Sequence, residues 1–423
     1  MKRNKILVLT VLIFFVQITQ INSQEADKYL KELISEAIEV SPSIKALADK
    51  KDASQTRIAQ NSNLPDPVLK LGLANLPTNS FSFTQEPMTG KIIGLSQGIP
   101  FPGKLGAVEQ VRSKDVEINQ QEIEDRSNEI RNEVTQIYYD LRFTREASRI
   151  AEENKNLLIK IAEVVRTKYA VSKASQQNVI KTEVEITIIN DKIEELKGKE
   201  MGLLASLNAL LLRESDSKII TTNVPKIIGK NISLKLLNSL AASERPFLKG
   251  IAISKDKADL MKELAEYEFY PNFNLSVSYN QRDKISKSNT DLIDFLTVMA
   301  GVTIPINYGG KKSSKVEEAK FIKSMFTNQY DASLQMLEKE FGKSIARLEE
   351  LTKRENLIEL GLLPQAKQSL EAAMAGYQVN EIDFLNVIDA QNRLFDIETK
   401  LYNIRTQYYK ETAKLEFLTG SIL

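Results

Sequence analysis

The second half of this chain repeats the first at an offset of roughly 205 residues, and that repetition limits the available folds more than any other feature. Pro42 followed by Ile44-Lys45 answers Pro246 followed by Leu248-Lys249. Leu64-Pro65 answers Tyr270-Pro271, and Ile99-Pro100 with Gly103-Lys104 answers Ile304-Pro305 with Gly310-Lys311. Tyr169-Ala170-Val171-Ser172 and Asn178-Val179-Ile180 answer Tyr377-Gln378-Val379-Asn380 and Asn386-Val387-Ile388. The elements recur in the same order. A helix (about 26–62, then about 232–268) leads to a proline-marked break, a strand, a loop and a second strand. A very long helix follows (about 104–170, then about 312–376), then a short tip and a closing helix (about 176–212, then about 384–419). This divides the chain into a leader over 1–23, a first repeat over 24–214, a polar extended linker over 215–231 containing Pro225, and a second repeat over 232–423.

The long helices carry a seven-residue apolar repeat. After the first tip, Val179, Ile186, Ile193 and Leu207 share one heptad position, and Ile189, Leu196, Leu203 and Leu210 share the other; Thr182 and Glu200 interrupt it. After the second tip, Val387, Leu394, Leu401, Tyr408 and Leu415 alternate with Ala390, Ile397, Ile404 and Leu418, with Glu411 as the exception. Such a repeat keeps one seam against a partner helix and imposes a left-handed supercoil. A helix of about 65 residues reaches roughly 100 Å. It needs partners alongside it, in its own chain or in other copies.

The strands alternate. Phe273, Leu275, Val277 and Tyr279 are interleaved with Asn274, Ser276 and Ser278; Val298, Ala300, Val302 and Ile304 with Thr297, Met299, Gly301 and Thr303. In the first repeat Leu69, Leu71 and Leu73 face Lys70, Gly72 and Ala74, and Ile93 and Leu95 face Gly94 and Ser96. This pattern suits a lipid-facing barrel wall and equally an ordinary half-buried sheet. The N-terminus favours the first. Lys2, Arg3 and Lys5 precede an apolar run from Ile6 to Val16, with small or polar residues to Ser23. This fits a secretory signal peptide, with cleavage expected near Ser23 and an apolar run too short to span a bilayer; the alternative is a membrane anchor that stays attached. No later segment has 18 uninterrupted apolar residues, so an exported chain of this kind stays soluble or enters a membrane as a barrel. Four strands cannot enclose water; two chains give a filled eight-stranded barrel and three give twelve strands around a passage. Pro65, Pro100, Pro102, Pro271 and Pro305 fall where strand meets helix, where proline costs no central ladder bond.

The chain of 423 residues has 57 basic and 56 acidic side chains, and neither His, Cys nor Trp. That balance argues against nucleic-acid binding. Without His and Cys there is no imidazole base, thiolate nucleophile, disulfide, sulfur metal site or lipid-anchoring cysteine. We therefore expect no enzyme, no cofactor, no catalytic residue and no resident metal.

Together the two tips (Tyr169 to Ile180 and Tyr377 to Ala390), the corner Ser96-Gln97-Gly98-Ile99-Pro100-Phe101-Pro102-Gly103-Lys104 and the duplicated architecture resemble the TolC-like outer-membrane efflux proteins over essentially the whole mature chain. The resemblance implies a mainly α fold with a small membrane β-barrel contribution: two tandem repeats of long helical hairpins plus two strands each. It also implies a homotrimer, with a twelve-stranded barrel in outer-membrane lipid and a helical tunnel into the periplasm. Its partners would be a periplasmic adaptor (membrane fusion protein) and an inner-membrane pump of the RND type, which supplies the energy. The family's tips read Val-Gly followed by a small or hydroxyl residue and dock the adaptor. The matching residues are Val171, Ser172 and Lys173, and Val379, Asn380 and Glu381, so the glycine is replaced in both copies. Acidic residues beyond the second tip ring the periplasmic aperture in the family; Asn386 and Asp389 match them, with Asn178 in the first repeat. Asn63-Leu64-Pro65-Asp66-Pro67, Asn75-Leu76-Pro77 and Pro87-Met88-Thr89 look like the branch serving heavy-metal efflux pumps. The alternative is a soluble periplasmic coiled-coil adaptor, which would carry one hairpin flanked by all-β modules.

Overall fold

The computed structural model describes residues 28–423, so the segment read as a signal peptide and its cleavage near Ser23 lie outside the described residues. The order is α1 (28–40), α2 (Pro42–Ser62), β1 (Val68–Ala74), β2 (Gly90–Ile99), α3 (Lys104–Ala170), α4 (Gln176–Leu210), α5 (Leu234–Glu244), α6 (Pro246–Glu266), β3 (Asn272–Gln281), β4 (Phe295–Thr303), α7 (Lys311–Leu357), α8 (Leu363–Gln378) and α9 (Phe384–Thr419).

Three expected helices are interrupted, each near a proline. The helices expected over about 26–62 and 232–268 each break one residue before the proline that opens the next helix, Pro42 and Pro246. A proline has no N–H to give the preceding turn, and its fixed φ suits a first helical position. The third interruption is a π-helical turn, Ile358–Leu362, between α7 and α8. Pro364 lies at the start of α8, and the Leu363 N–H reaches back to the Ile358 carbonyl, so the wider turn absorbs the hydrogen bond that proline removes. The matching helix of the first repeat, α3, runs unbroken for 67 residues.

The described chain forms two compact units, each drawing on both sequence halves: one from residues up to Ala46, Ile123–Pro246 and Ser333–Leu423, the other from Leu47–Glu122 and Phe247–Ala332. The first is a bundle sealed by the heptad seams. Ile189, Ile193, Leu196, Val387, Ile388 and Phe384 bury against Leu158, Ile161 and Val165 of α3. A second cluster joins Leu33 and Ala37 to Val134, Tyr138, Leu141 and Leu207. The polar interruptions of the heptads are all satisfied. Thr182 Oγ1 donates to the Asn178 carbonyl (2.8 Å), Glu200 pairs with Arg145 (2.7 Å), and Glu411 accepts from Ser344 Oγ. Deeper in, Arg405 pairs with Glu355 at 2.6 Å, both side chains under 7% exposed (6% and 4%), and with Glu359 at 3.1 Å.

The segment 215–231 forms no helix or strand, yet it is tied down. Arg142 donates to the Thr222 carbonyl (2.9 Å), Arg145 to the Ile219 carbonyl (2.7 Å) and the Tyr409 hydroxyl to the Lys226 carbonyl (2.7 Å). Glu355 accepts the Ile227 N–H (3.1 Å), and Ile219 and Val224 are buried. Side chains thus satisfy the backbone groups that this strap does not pair in a ladder.

The second unit holds one antiparallel sheet in the order β1-β2-β3-β4. Its central ladder, from Lys91↔Gln281 to Ile99↔Phe273, pairs a strand of the first half with one of the second. None of the described helices is long and apolar enough to cross a membrane.

Candidate functional site: an inverted sheet and two helical tips

Register places Leu69, Leu95, Val277 and Val298 in one row across the sheet, and Leu71, Ile93, Tyr279 and Leu296 in the next. All eight side chains are exposed, Leu71 by 73%. The opposite face carries Ser96, Ser276, Ser278, Asn274, Asn280 and Thr297. Ser96 is buried and donates to Asn274 Oδ1 at 2.9 Å. A sheet built for water covers its apolar face and wets the other. Here the apolar face is left bare while the polar face of β2 is the more covered one, the opposite of that arrangement in the central strands, and each uncovered Leu, Ile, Val or Phe forgoes about 1.5–3 kcal/mol that burial would give. The polar face is also narrow. Gly90, Gly94 and Gly98 recur every fourth residue of β2 on that face, and a Cβ at Gly94 would stand 3.0 Å from Ser278 Cβ and 3.1 Å from the Val277 carbonyl. Both edge strands, β1 and β4, have one unpaired side among the described residues.

Where strand gives way to helix, the corner is aromatic. The Phe101 ring stacks on Tyr270 at 4.6 Å, with Tyr267 at 6.3 Å, and the Phe101 N–H donates to Asn272 Oδ1 (3.1 Å). Gly103 has φ +91°, and a Cβ there would lie 2.7 Å from the Tyr267 hydroxyl, so both backbone and space require glycine. Lys104 pairs with Glu268 at 3.1 Å, and Lys315 lies 3.7 Å from the same carboxylate. Burial pushes the Glu268 carboxyl up, but Lys104, Lys315 and Lys312 outweigh it and hold the group below its ordinary value.

The tips sit at the other end of these helices in sequence. α3 and α8 end alike. Ser172 (φ +58°) and Asn380 (φ +66°) occupy the left-handed conformation that glycine usually fills. Ser172 N–H bonds the Tyr169 carbonyl (2.9 Å) and Lys173 N–H the Lys168 carbonyl (2.8 Å); Asn380 N–H bonds Tyr377 (3.2 Å) and Glu381 N–H bonds Gly376 (2.9 Å). Both are Schellman closures, which place the apolar residues Val171 and Val379 at the helix ends, 60% and 63% exposed. Lys173 and Glu381 are exposed too. The following helices start on side-chain caps, Ser175 for α4 and Asp383 for α9.

Lys168 joins the two tips. Its ammonium donates to Asn380 Oδ1 (2.6 Å) and to the Tyr377 carbonyl, and lies 4.5 Å over the Tyr377 ring. The duplicated positions have diverged to permit this. Gly376 stands where the first repeat has Lys168, and a Cβ there would run 2.6 Å from Ile382 Cδ1. Tyr377 is buried against Phe384 (5.6 Å), whereas its counterpart Tyr169 is exposed.

The three residues read as an aperture lie in the first two turns of α4 and α9. Asn178 sits in the first turn of α4, its Oδ1 3.2 Å from the Ser175 hydroxyl. Asn386 occupies the same place in α9, its N–H on the Asp383 carbonyl (3.1 Å). Asp389, one turn on and 73% exposed, pairs with Arg393 at 3.5 Å. Two features went unread in the sequence. One is Arg393, an i,i+4 partner that offsets the Asp389 charge. The other is an exposed row on α4, Ile180, Val184 and Ile188, spaced i, i+4, i+8 on the face away from the heptad seam.

Comparison with known proteins completes the picture. Residues 237–421 match the family model described as "Outer membrane efflux protein". The chain is 20% identical over 390 residues to the cobalt-zinc-cadmium resistance protein CzcC of Cupriavidus metallidurans, covering 89% of this chain and 86% of that one. It is 22% identical over 412 residues to the outer membrane protein TolC of Vibrio cholerae, covering 93% and 91%. Its fold superposes on the outer membrane protein VceC of Vibrio cholerae with a TM-score of 0.76 at 17% identity, over 94% of this chain and 98% of the other.

Proposed function

We propose, from the premise that this chain is a TolC-like outer-membrane efflux protein, that it is one protomer of the exit duct of a tripartite efflux system. The observation that carries the reading is the sheet: its apolar face is bare, the polar face of its central strands is the more covered one, and both edges are open. Within a bilayer, every backbone N–H and C=O on those edges needs a partner, so the sheet must continue into other copies. Three copies give a twelve-stranded barrel with a wet interior. The duct is a passive passage rather than an enzyme; energy comes from an inner-membrane pump of the RND type through a periplasmic adaptor. The two repeats, 24–214 and 232–423, supply equivalent walls joined by the strap over 215–231, after removal of the leader over 1–23.

In this reading Val171, Ser172 and Lys173 with Val379, Asn380 and Glu381 meet the adaptor's helical hairpins, and the exposed row Ile180, Val184 and Ile188 extends that surface. Asn178, Asn386 and Asp389 line the narrow periplasmic end, where Arg393 balances Asp389. Heavy-metal cations are the cargo class we favour, supported by the likeness to a protein named for cobalt, zinc and cadmium resistance. The soluble-adaptor alternative lacks support: the strands of both halves share one sheet with a bare apolar face, where an adaptor would have closed all-β modules.

The test is direct. Fractionated membranes should hold the protein in the outer membrane, unboiled gels should show an oligomer that boiling collapses, and planar bilayers should show stepwise conductance. A folded, detergent-free monomer in the soluble periplasmic fraction would refute the proposal.

A further inference from the structure

Along the chain leaving β4, side chains follow the order of a membrane boundary. Val302, Ile304 and Ile306 are exposed and apolar, Tyr308 is aromatic and 78% exposed, and Lys311, Lys312 and Lys315 follow. The first repeat has the same order in Ile99, Phe101 and Lys104. Aromatic rings favour the headgroup level of a bilayer, and lysines reach past them into it. The lysines also stand where a helix disfavours them. α3 opens on Lys104 and α7 on Lys311-Lys312, with no acidic residue in the first turn of either. Cations at the positive end of a helix destabilise it, so local stability does not account for them. The neighbouring carboxylates take up the charge of Lys104 and Lys315 but not that of the first two lysines of α7. Lys104, Lys312 and Lys315 all act on Glu268, Glu266 pairs with Lys262 at 3.4 Å, and Asp66 precedes β1. Glu317 and Glu318 follow Lys315 in α7, so the segment as a whole is close to balanced, and the cations left without a close partner are those at the very start of the helix. Lys311 and Lys312 have no carboxylate within ion-pair distance among the described residues.

We propose that Lys104, Lys311, Lys312 and Lys315, with Tyr308 and the Phe101–Tyr270 stack, form a collar that binds the phosphates of anionic phospholipid in the periplasmic leaflet. The lipid is the occupant because the cations continue an exposed apolar face; a soluble anion gives no reason for Ile304, Ile306 and Tyr308 to be bare. The collar rests on the barrel reading above and adds lipid selectivity to it.

The experiment reconstitutes the full chain, wild type and the triple variant Lys311→Gln, Lys312→Gln, Lys315→Gln, into phosphatidylcholine with and without phosphatidylglycerol, and measures co-purified lipid by native mass spectrometry. Wild type should retain phosphatidylglycerol over phosphatidylcholine, with that preference falling about fivefold per lysine removed. Rising salt should weaken it in wild type, and the triple Arg variant should restore it. An unchanged preference in the Gln variant, or no preference in wild type at low salt, overturns the collar. So does full displacement of phosphatidylglycerol by inorganic phosphate, which would mark a soluble-anion site. Conductance in pure phosphatidylcholine without lipid preference would sink the collar and leave the duct standing. Failure of wild type to insert into either lipid would sink both.

Discussion

Replacing Asn380 separates two contributions to the second tip. Asn380→Gly keeps the left-handed backbone and removes the side-chain oxygen that accepts from Lys168 at 2.6 Å. A hydrogen bond to a charged group contributes about 1.5–3 kcal/mol, and glycine's ease in the left-handed region returns part of it, so local opening of the tip should become several-fold more frequent. Asn380→Ala loses the same bond and, unlike the Gly variant, keeps a Cβ at φ +66° without the side-chain amide that lets Asn tolerate it. The left-handed conformation costs an L-residue about 1–2 kcal/mol, and the greater chain entropy of Gly offsets roughly 0.5–1 of that difference. The net is about 0.5–1 kcal/mol, a further two- to fivefold. The assay is hydrogen exchange at the Glu381 amide, whose N–H closes on the Gly376 carbonyl at 2.9 Å and is freed only when the tip opens. Exchange should rise in the order wild type, Gly, Ala. Equal rates in Gly and Ala would show that backbone handedness does not limit this tip; a Gly variant identical to wild type would show that the Lys168–Asn380 bond does not hold it.

Other perturbations follow from the same geometry. Glu355→Ala leaves Arg405 buried beside Glu359 alone and should destabilise the fold by about 3–5 kcal/mol; thermal melting of the assembly by circular dichroism measures it, and a loss under about 1 kcal/mol contradicts it. Acid should loosen the helical bundle through carboxylates held low in the fold: Glu340, brought down to about 2 by Lys414 and Lys343, and Glu359, lowered by Lys226 and Arg405 against the opposing effect of its burial. A depressed folded value means this stability is complete above the ordinary 4.5 and is lost as pH falls through the folded value, so melting temperature should drop between about pH 4.5 and 2, less steeply in Glu340→Gln. At the proposed aperture, Arg393→Ala should raise cation preference in reversal-potential measurements and Asp389→Ala should lower it; indifference to both would remove the two residues from that role.

Periodic features were legible in the residues because periodicity reports a local environment. Ile189, Leu196, Val387 and Leu415 fell where the seam buries them, and Leu275 and Val277 where the apolar face lies. What depends on contacts between distant segments was not legible. Nothing near Lys91 announces Gln281 as its ladder partner, and nothing in the polar composition of 215–231 shows that Arg142, Arg145 and Glu355 will bind it. The helix breaks were readable in principle, since Pro42 and Pro246 mark first helical positions, but the apolar pattern continues through both. At the tips, Ser172 and Asn380 adopt the left-handed backbone that glycine favours, and the paired closures hold it. For the six tip residues and for Asn178, Asn386 and Asp389, the fold sets backbone and exposure.

The ladder between β2 and β3 has a consequence for biogenesis. Its partners are separated by on the order of 180 residues, and a chain is synthesised at about 5–20 residues per second. The first half's strands therefore wait roughly 10–40 seconds with a greasy surface and a free hydrogen-bonding edge before their mates exist. The sheet's central ladder closes only once the chain has reached Gln281, so β1 and β2 are the part of the fold that stays unfinished longest after it is made.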